Sequence, residues 1–182
     1  MTAHTLVRVT AASDALDRLT AIVPDFPEPG IVFRDLTPVL ADAGALHAVA
    51  ADLATAADAP YDAIAGVEAR GFALAAAAAA IGGSGLVLIR KAGKLPRPVF
   101  QRPYALEYGT ATLELHRDEL PRGSRVLLVD DVLATGGTLA AALGLLGDAG
   151  LEIAGIAVAL ELSALGGRER LAGHRLHAIS TV

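Results

Sequence analysis

Asp130 and Asp131 are adjacent carboxylates that close an apolar run, Val126-Leu127-Leu128-Val129, and a turn of small residues, Ala134-Thr135-Gly136-Gly137-Thr138, follows shortly after. Carboxylates side by side accept hydrogen bonds from vicinal hydroxyls, or hold a hard metal ion through its waters. Glycine and small polar residues let successive backbone N–H groups converge on an anion at the start of a helix. The combination suits a phosphorylated sugar, with hydroxyls on the acids and phosphate in the turn. The plainer account, an acidic pair that caps a helix, leaves unexplained why a phosphate-type turn stands at the same strand end. Neither usual nucleotide fingerprint is present, since there is no G-x-x-x-x-G-K-[ST] and no G-x-G-x-x-G after a strand.

Two more charged groups follow apolar runs. Glu68-Ala69-Arg70-Gly71-Phe72 comes after Tyr61 to Val67, and Arg90-Lys91-Ala92-Gly93-Lys94-Leu95-Pro96 comes after Leu86 to Ile89. Arg70 offers planar donors suited to phosphate oxygens, and Gly71 permits close backbone approach. Taken alone, Glu68 with Arg70 is more often a structural ion pair, and the basic run reads equally as a solvated loop. In a chain of net charge -5, however, a local concentration of Arg and Lys calls for an anion. Anion-binding features at three strand ends suit a sugar that carries phosphate at both ends.

These groups need a scaffold of alternating strands and helices. The run 126–129, without alternation, predicts a central strand covered on both faces; a buried strand is predicted at 86–89 and further strands at 61–67 and 153–160, with helices at 45–57, after Phe72 as far as Ile81, and at 139–149. The pattern is that of an α/β fold, a doubly wound, mainly parallel sheet, in a single domain over 1–182. Residues 1–12 read as a loose leader, and Ser13 as the N-cap of a helix that has Leu16, Leu19, Ala21 and Ile22 on its apolar face and ends at Pro24. Residues 25–38 contain three prolines and read as an extended loop that is neither helix nor ordinary strand. Residues 92–118 read as a long flexible hairpin, with Ala111, Leu113 and Leu115 alternating on one arm and Glu107-Tyr108-Gly109 at its turn.

Composition excludes several function classes. The chain is 53% hydrophobic with 4% aromatics, so its core must be largely aliphatic. It has no cysteine, which removes disulfides, thiol catalysis and thiolate metal sites. The acidic balance argues against nucleic acid or an anionic membrane as the main partner. No stretch approaches the ~20 apolar residues of a membrane span, and Asp14, Asp17 and Arg18 interrupt any signal-peptide core, so a cytoplasmic protein is expected. His116, His174 and His177 show no metal-ligand spacing.

The Asp130-to-Thr138 stretch closely resembles the phosphoribosyl-diphosphate signature of the type I phosphoribosyltransferases. Within them, Asp25-Phe26-Pro27 through Arg34-Asp35-Leu36-Thr37-Pro38 resembles the N-terminal segment of the adenine phosphoribosyltransferases, and Leu106-Glu107-Tyr108-Gly109 resembles their catalytic loop. The resemblance runs from about Asp25 to Leu171. It implies the type I phosphoribosyltransferase fold, a small N-terminal hood over 25–38 and the synthesis of AMP from adenine and 5-phosphoribosyl 1-diphosphate. It implies Glu107 and Tyr108 as catalytic residues. Asp130, Asp131, Ala134, Thr135, Gly136, Gly137 and Thr138 would hold the ribose and its phosphate. Glu68, Ala69, Arg70, Arg90, Lys91 and Lys94 would attend the diphosphate, with a cis peptide between Glu68 and Ala69. Val32, Phe33, Arg34 and Val132 would form the base site. Mg2+ is implied as a cofactor held mainly through the diphosphate, with no direct protein ligands, and a homodimer as the usual assembly. Three departures are visible: the run Ala75 to Ala80 replaces bulkier residues, Val132 stands where the family carries leucine, and Pro103-Tyr104 replaces Ser-Tyr or Thr-Tyr. A transferase for 6-oxopurines or orotate, or a regulator that senses the sugar diphosphate, remains open on the sequence.

Overall fold

The computed structural model describes residues 11–105 and 110–182. In chain order it contains α1 (Ala12–Leu19), β1 (Ala21–Pro24), β2 (Val32–Asp35), α2 (Thr37–Ala41), α3 (Ala43–Ala54), β3 (Ala63–Val67), α4 (Arg70–Gly82) and β4 (Gly85–Lys91). It continues with β5 (Val99–Ala105), β6 (Thr110–His116), β7 (Arg125–Leu133), α5 (Gly137–Asp148), β8 (Glu152–Glu161), α6 (Gly167–Arg170) and β9 (Leu176–Thr181).

Seven strands form one sheet in the order β5-β6-β4-β3-β7-β8-β9. β4, β3, β7, β8 and β9 are parallel, while β6 runs antiparallel to both β4 and β5. The helices divide between the faces. Ile64, Leu127 and Val129 pack with α1, α3 and α4, whereas Ala65, Val67 and Leu128 pack with α5 and the β6 residues Leu113 and Leu115. Strands covered on both sides need apolar residues at every position, which is why 63–67 and 126–129 carry no alternation. No buried core residue described is aromatic.

The alanine-rich sequence of α4 has a packing reason. A Cβ at Gly66 of β3 would lie 2.6 Å from the Ala75 Cβ, so the helix rests almost directly on the strand backbone. This close seat fixes the N-terminus of α4, with Arg70 and Gly71, beside the ends of β3 and β7.

Several expectations need correction. α1 begins at Ala12 and has Ala11, not Ser13, at its N-cap position without any side-chain cap bond. It stops at Leu19, and Ala21 and Ile22 belong to β1, which pairs antiparallel with β2. The hood is thus a hairpin that continues into α2, not a loop without strands. Its prolines fall outside the ladder or at its end, Pro38 sits in the first turn of α2, and Asp25 at φ 54° makes the turn. β4 is buried on one face only, since Leu86 and Leu88 are exposed. β7 does not stop where charge begins. It runs through Asp130 and Asp131 because β8 continues to pair with it as far as Leu133 opposite Glu161. β9, the final edge strand beside β8, was not anticipated. The β5–β6 hairpin is anchored on the sheet and on α5, where Arg102 grips Asp148 with 2.9 and 2.8 Å bonds. Its expected flexible turn, Leu106 to Gly109, lies outside the described residues. No described helix is long and apolar enough to cross a membrane.

Candidate active site

A cleft of about 580 Å³ opens at the carboxyl ends of β3, β4 and β7, with β2 on its far side. Ligands in open α/β sheets bind at such ends, where helix N-termini converge. A smaller cavity of about 70 Å³ adjoins it, lined by Asp130 and the turn from Leu133 to Leu139.

The turn owes its shape to Gly136. This residue has φ +76° at the N-cap of α5, and a Cβ there would lie 2.7 Å from the Gly167 carbonyl oxygen. Both the left-handed backbone and the close approach of the α6 segment therefore demand glycine. The turn leads directly into α5, whose first N–H groups have no intrahelical partner.

Asp130 and Asp131 are both 8% exposed. The Asp131 N–H donates to Asp130 Oδ1 at 2.9 Å. Burial, and then the neighbouring charge of Asp131, push the Asp130 carboxyl well above the ordinary carboxylate range. The carboxyl sits tight on α4, since a Cβ at Gly71 would come within 2.7 Å of Asp130 Oδ1. Asp131 accepts a hydrogen bond from Arg70 Nε. The Arg70 guanidinium also lies over the Phe33 ring, 5.3 Å from its centroid, and Phe33 meets Phe26 edge to face at 5.2 Å. An unbroken chain of contacts thus joins the acid pair to the hood. At the hood's base Asp35 accepts from the Thr37 N–H at 2.9 Å and the Thr37 hydroxyl at 2.7 Å, and those two bonds lower its carboxyl pKa.

On the third strand end, Glu68 Oε2 accepts from the Lys91 N–H at 2.9 Å and from Arg90 Nε at 3.3 Å. Burial acts to raise the Glu68 carboxyl, but those two bonds and the charges of Arg90 and Lys91 outweigh it and hold the group below its usual value. The Glu68–Ala69 peptide is cis, as the resemblance implies.

Of the residues singled out in the sequence, Val32, Phe33, Arg34, Glu68, Ala69, Arg70, Lys91, Asp130, Asp131, Val132, Ala134 and Thr138 line the cleft together. Thr135, Gly136 and Gly137 line the adjoining cavity. Arg90 and Lys94 do not reach either. Arg90 braces the basic segment from behind, donating to Glu68 and to the Lys94 carbonyl at 3.3 Å each. Glu107 and Tyr108 lie outside the described residues. Sequence reasoning did not select four residues that also line the cleft: Ile31, Tyr104, Leu162 and Leu165. Leu162 was the most accessible of these, because it follows β8 at the same sheet end as the phosphate turn.

Residues 40–172 match the family described as phosphoribosyl transferase domain. The adenine phosphoribosyltransferase of Clavibacter michiganensis subsp. michiganensis is 65% identical to this chain over 173 residues, which are 95% of this chain and 98% of that protein. The chain belongs to the adenine phosphoribosyltransferase family. Solved structures agree. The adenine phosphoribosyltransferase of Thermoanaerobacter pseudethanolicus superimposes with a TM-score of 0.89 at 41% identity, covering 93% of this chain and 99% of that one. The enzyme of Giardia lamblia, solved with 9-deazaadenine, gives 0.88 at 40% identity over 95% of this chain and 98% of that one. The fold is therefore the type I phosphoribosyltransferase fold, and the protein is a glycosyltransferase of purine salvage.

Proposed function

We propose that this cleft transfers the 5-phosphoribosyl group of 5-phosphoribosyl 1-diphosphate to adenine, forming AMP and releasing diphosphate. The observation that carries the reading is the meeting, in one cleft, of the acid pair and phosphate turn with the backbone of β2. The turn from Ala134 to Thr138 holds the 5-phosphate through backbone N–H groups and threonine hydroxyls. Asp130 and Asp131 accept from the ribose hydroxyls. Arg70, the Glu68–Ala69 backbone and Lys91 attend the diphosphate, with Arg90 and Lys94 shaping the segment that carries Lys91.

The base lies between β2 and Val132, with Leu162 as further apolar wall. Among the described residues β2 pairs only with β1, so its other edge has backbone groups to offer. The Val32 carbonyl accepts from the 6-amino group, and the Arg34 N–H donates to a ring nitrogen. Phe33, fixed by Phe26 and Arg70, holds that edge in place. As N9 bonds to C1′ and the bond from C1′ to the diphosphate oxygen breaks, Glu107 takes the proton released from the imidazole ring, and Tyr108 helps close the site.

No group of three or more His, Asp or Glu side chains suited to a metal ion occurs among the described residues, and Asp131 is already paired with Arg70. Mg2+ would be held mainly through the diphosphate, and Asp130 and Asp131 would accept from its bound waters. Its contribution when bound is to neutralise charge that builds on the departing diphosphate. In this reading the chain works as one domain, with 25–38 as hood and 92–118 as lid hairpin. The working form is a cytoplasmic homodimer, for which the exposed Leu86 and Leu88 on one face of β4 offer an apolar surface.

Incorporation of radiolabelled adenine, hypoxanthine, guanine and orotate tests the reading. Label from adenine should pass into AMP in the presence of 5-phosphoribosyl 1-diphosphate and Mg2+. Preferential incorporation of any other base refutes it.

A further inference from the structure

Glu114 of β6 is 4% exposed, and it lines neither the cleft nor the adjoining cavity. Its side chain lies on the face of β6 opposite Leu113 and Leu115, and a carboxylate buried there carries a desolvation penalty that an aliphatic residue would avoid. Both its oxygens are engaged. Oε2 accepts from the Gly93 N–H at 3.0 Å, and Oε1 accepts from the Gln101 side-chain amide at 2.8 Å.

The two partners belong to different parts of the machinery. Gly93, at φ +80°, lies on the segment that leaves β4 just beyond Lys91. Gln101 lies on β5, the other arm of the hairpin, directly opposite Glu114. On its other side the same segment is held by Glu68, which accepts from the Lys91 N–H at 2.9 Å. The ladder adds one more tie, from the Ala92 N–H to the Thr112 carbonyl at 2.9 Å. Lys91 is therefore carried on a short stretch clamped between two carboxylates, one at the end of β3 and one inside the hairpin.

We propose that Glu114 is a positioning residue for the transfer reaction: it fixes the Gly93 backbone so that Lys91 meets the diphosphate, and it ties that segment to the hairpin. This rests on the reading of Lys91 as a diphosphate ligand. The clamp acts on the sugar diphosphate and leaves the base site, formed by β2, Val132 and Leu162, untouched. Its signature is a change in KM for one substrate and not for the other.

The test is steady-state kinetics of the full chain with Mg2+, together with melting temperatures. Glu114→Ala should raise KM for 5-phosphoribosyl 1-diphosphate about tenfold, the scale of one lost charge-assisted hydrogen bond, while KM for adenine stays within about twofold. Gln101→Glu, which sets two carboxylates against each other, should do the same and serves if Glu114→Ala does not fold. Adding Glu114→Gln to Gln101→Glu should restore KM, because the new amide accepts from Gly93 and donates to the new carboxylate. A lower Tm with unchanged KM in both Glu114→Ala and Gln101→Glu overturns the positioning role. So does failure of the exchanged pair to recover KM. Lys91→Ala separates the premise: unchanged KM there refutes the Lys91 reading and the proposal with it. A raised KM for Lys91→Ala beside an unchanged one for Glu114→Ala refutes the positioning role alone.

Discussion

Replacing Asp131 by Asn keeps the shape of the side chain and removes its charge. In the free protein that charge meets Arg70 Nε, and in the proposed complex it accepts from a ribose hydroxyl. A hydrogen bond to a charged group contributes about 1.5–3 kcal/mol, equivalent to roughly 10- to 150-fold in affinity. Two features of the site pull the expectation toward the lower end. Removing Asp131 also removes a charge that pushes Asp130 upward, so Asp130 ionises more readily and recovers part of the lost acceptor strength. It also releases Arg70 to turn toward the diphosphate. Asp131→Asn should therefore weaken 5-phosphoribosyl 1-diphosphate binding by about 10- to 30-fold. Asp130→Asn should weaken it less, because burial already favours the neutral form of that carboxyl. The chain has no tryptophan, so titration calorimetry in the presence of Mg2+ is the suitable assay. Unchanged affinity in both variants would refute the placement of the ribose on this pair, and a larger loss for Asp130→Asn would refute the electrostatic ranking.

The raised Asp130 carboxyl also predicts a pH dependence of stability. Between its ordinary value near 3.8 and its folded value, the native state holds a proton that the unfolded state has released, so stability falls as pH rises through that window. Asp130→Asn should accordingly gain Tm over the parent protein, by more at pH 7 than at pH 4, and an equal difference at both would contradict the assignment. Gly66→Ala should force α4 off β3 at a cost of about 1–3 kcal/mol, or roughly 2–4 °C in Tm for each kcal/mol, as read by scanning calorimetry. Hypoxanthine presents a carbonyl where adenine has an amino donor, leaving the Val32 carbonyl unpaired at about 1–3 kcal/mol. Competition at matched base concentrations should favour adenine by one to two orders of magnitude, and comparable turnover would defeat this role for the hood.

The parts of the fold that were legible in the sequence are those where burial is complete. Val126 to Val129 and Ile64 to Val67 face helices on both sides, and nothing polar interrupts them. Partial burial was harder to read. Leu86 and Leu88 are as apolar as Val87 and Ile89, yet only the second pair lies under helix and hairpin. β9 mixes His177 and Ser180 with Ala178 and Ile179 because it is an edge strand, and so it lacked the pattern of the central ones. In β7 local charge suggested an end at Val129, but ladder pairing with β8 prevailed. The same division applies to the cleft. Charged and glycine-rich segments at strand ends carry their chemistry openly, and Glu68 to Arg70, Lys91 and Asp130 to Thr138 were found in that way. Ile31, Leu162 and Leu165 were not, because an apolar wall has no composition that separates it from core. Arg90 shows the converse limit, since its charge identified the right segment while its side chain turns back to Glu68.

A crystal structure of the protein with AMP tests the placement of substrate in this cleft most directly. AMP should bind with its phosphate on the backbone N–H groups between Ala134 and Thr138, both ribose hydroxyls on Asp130 and Asp131, and the 6-amino group on the Val32 carbonyl with Val132 against the ring. A nucleotide bound with its base away from β2, or with its phosphate outside the turn before α5, would contradict it.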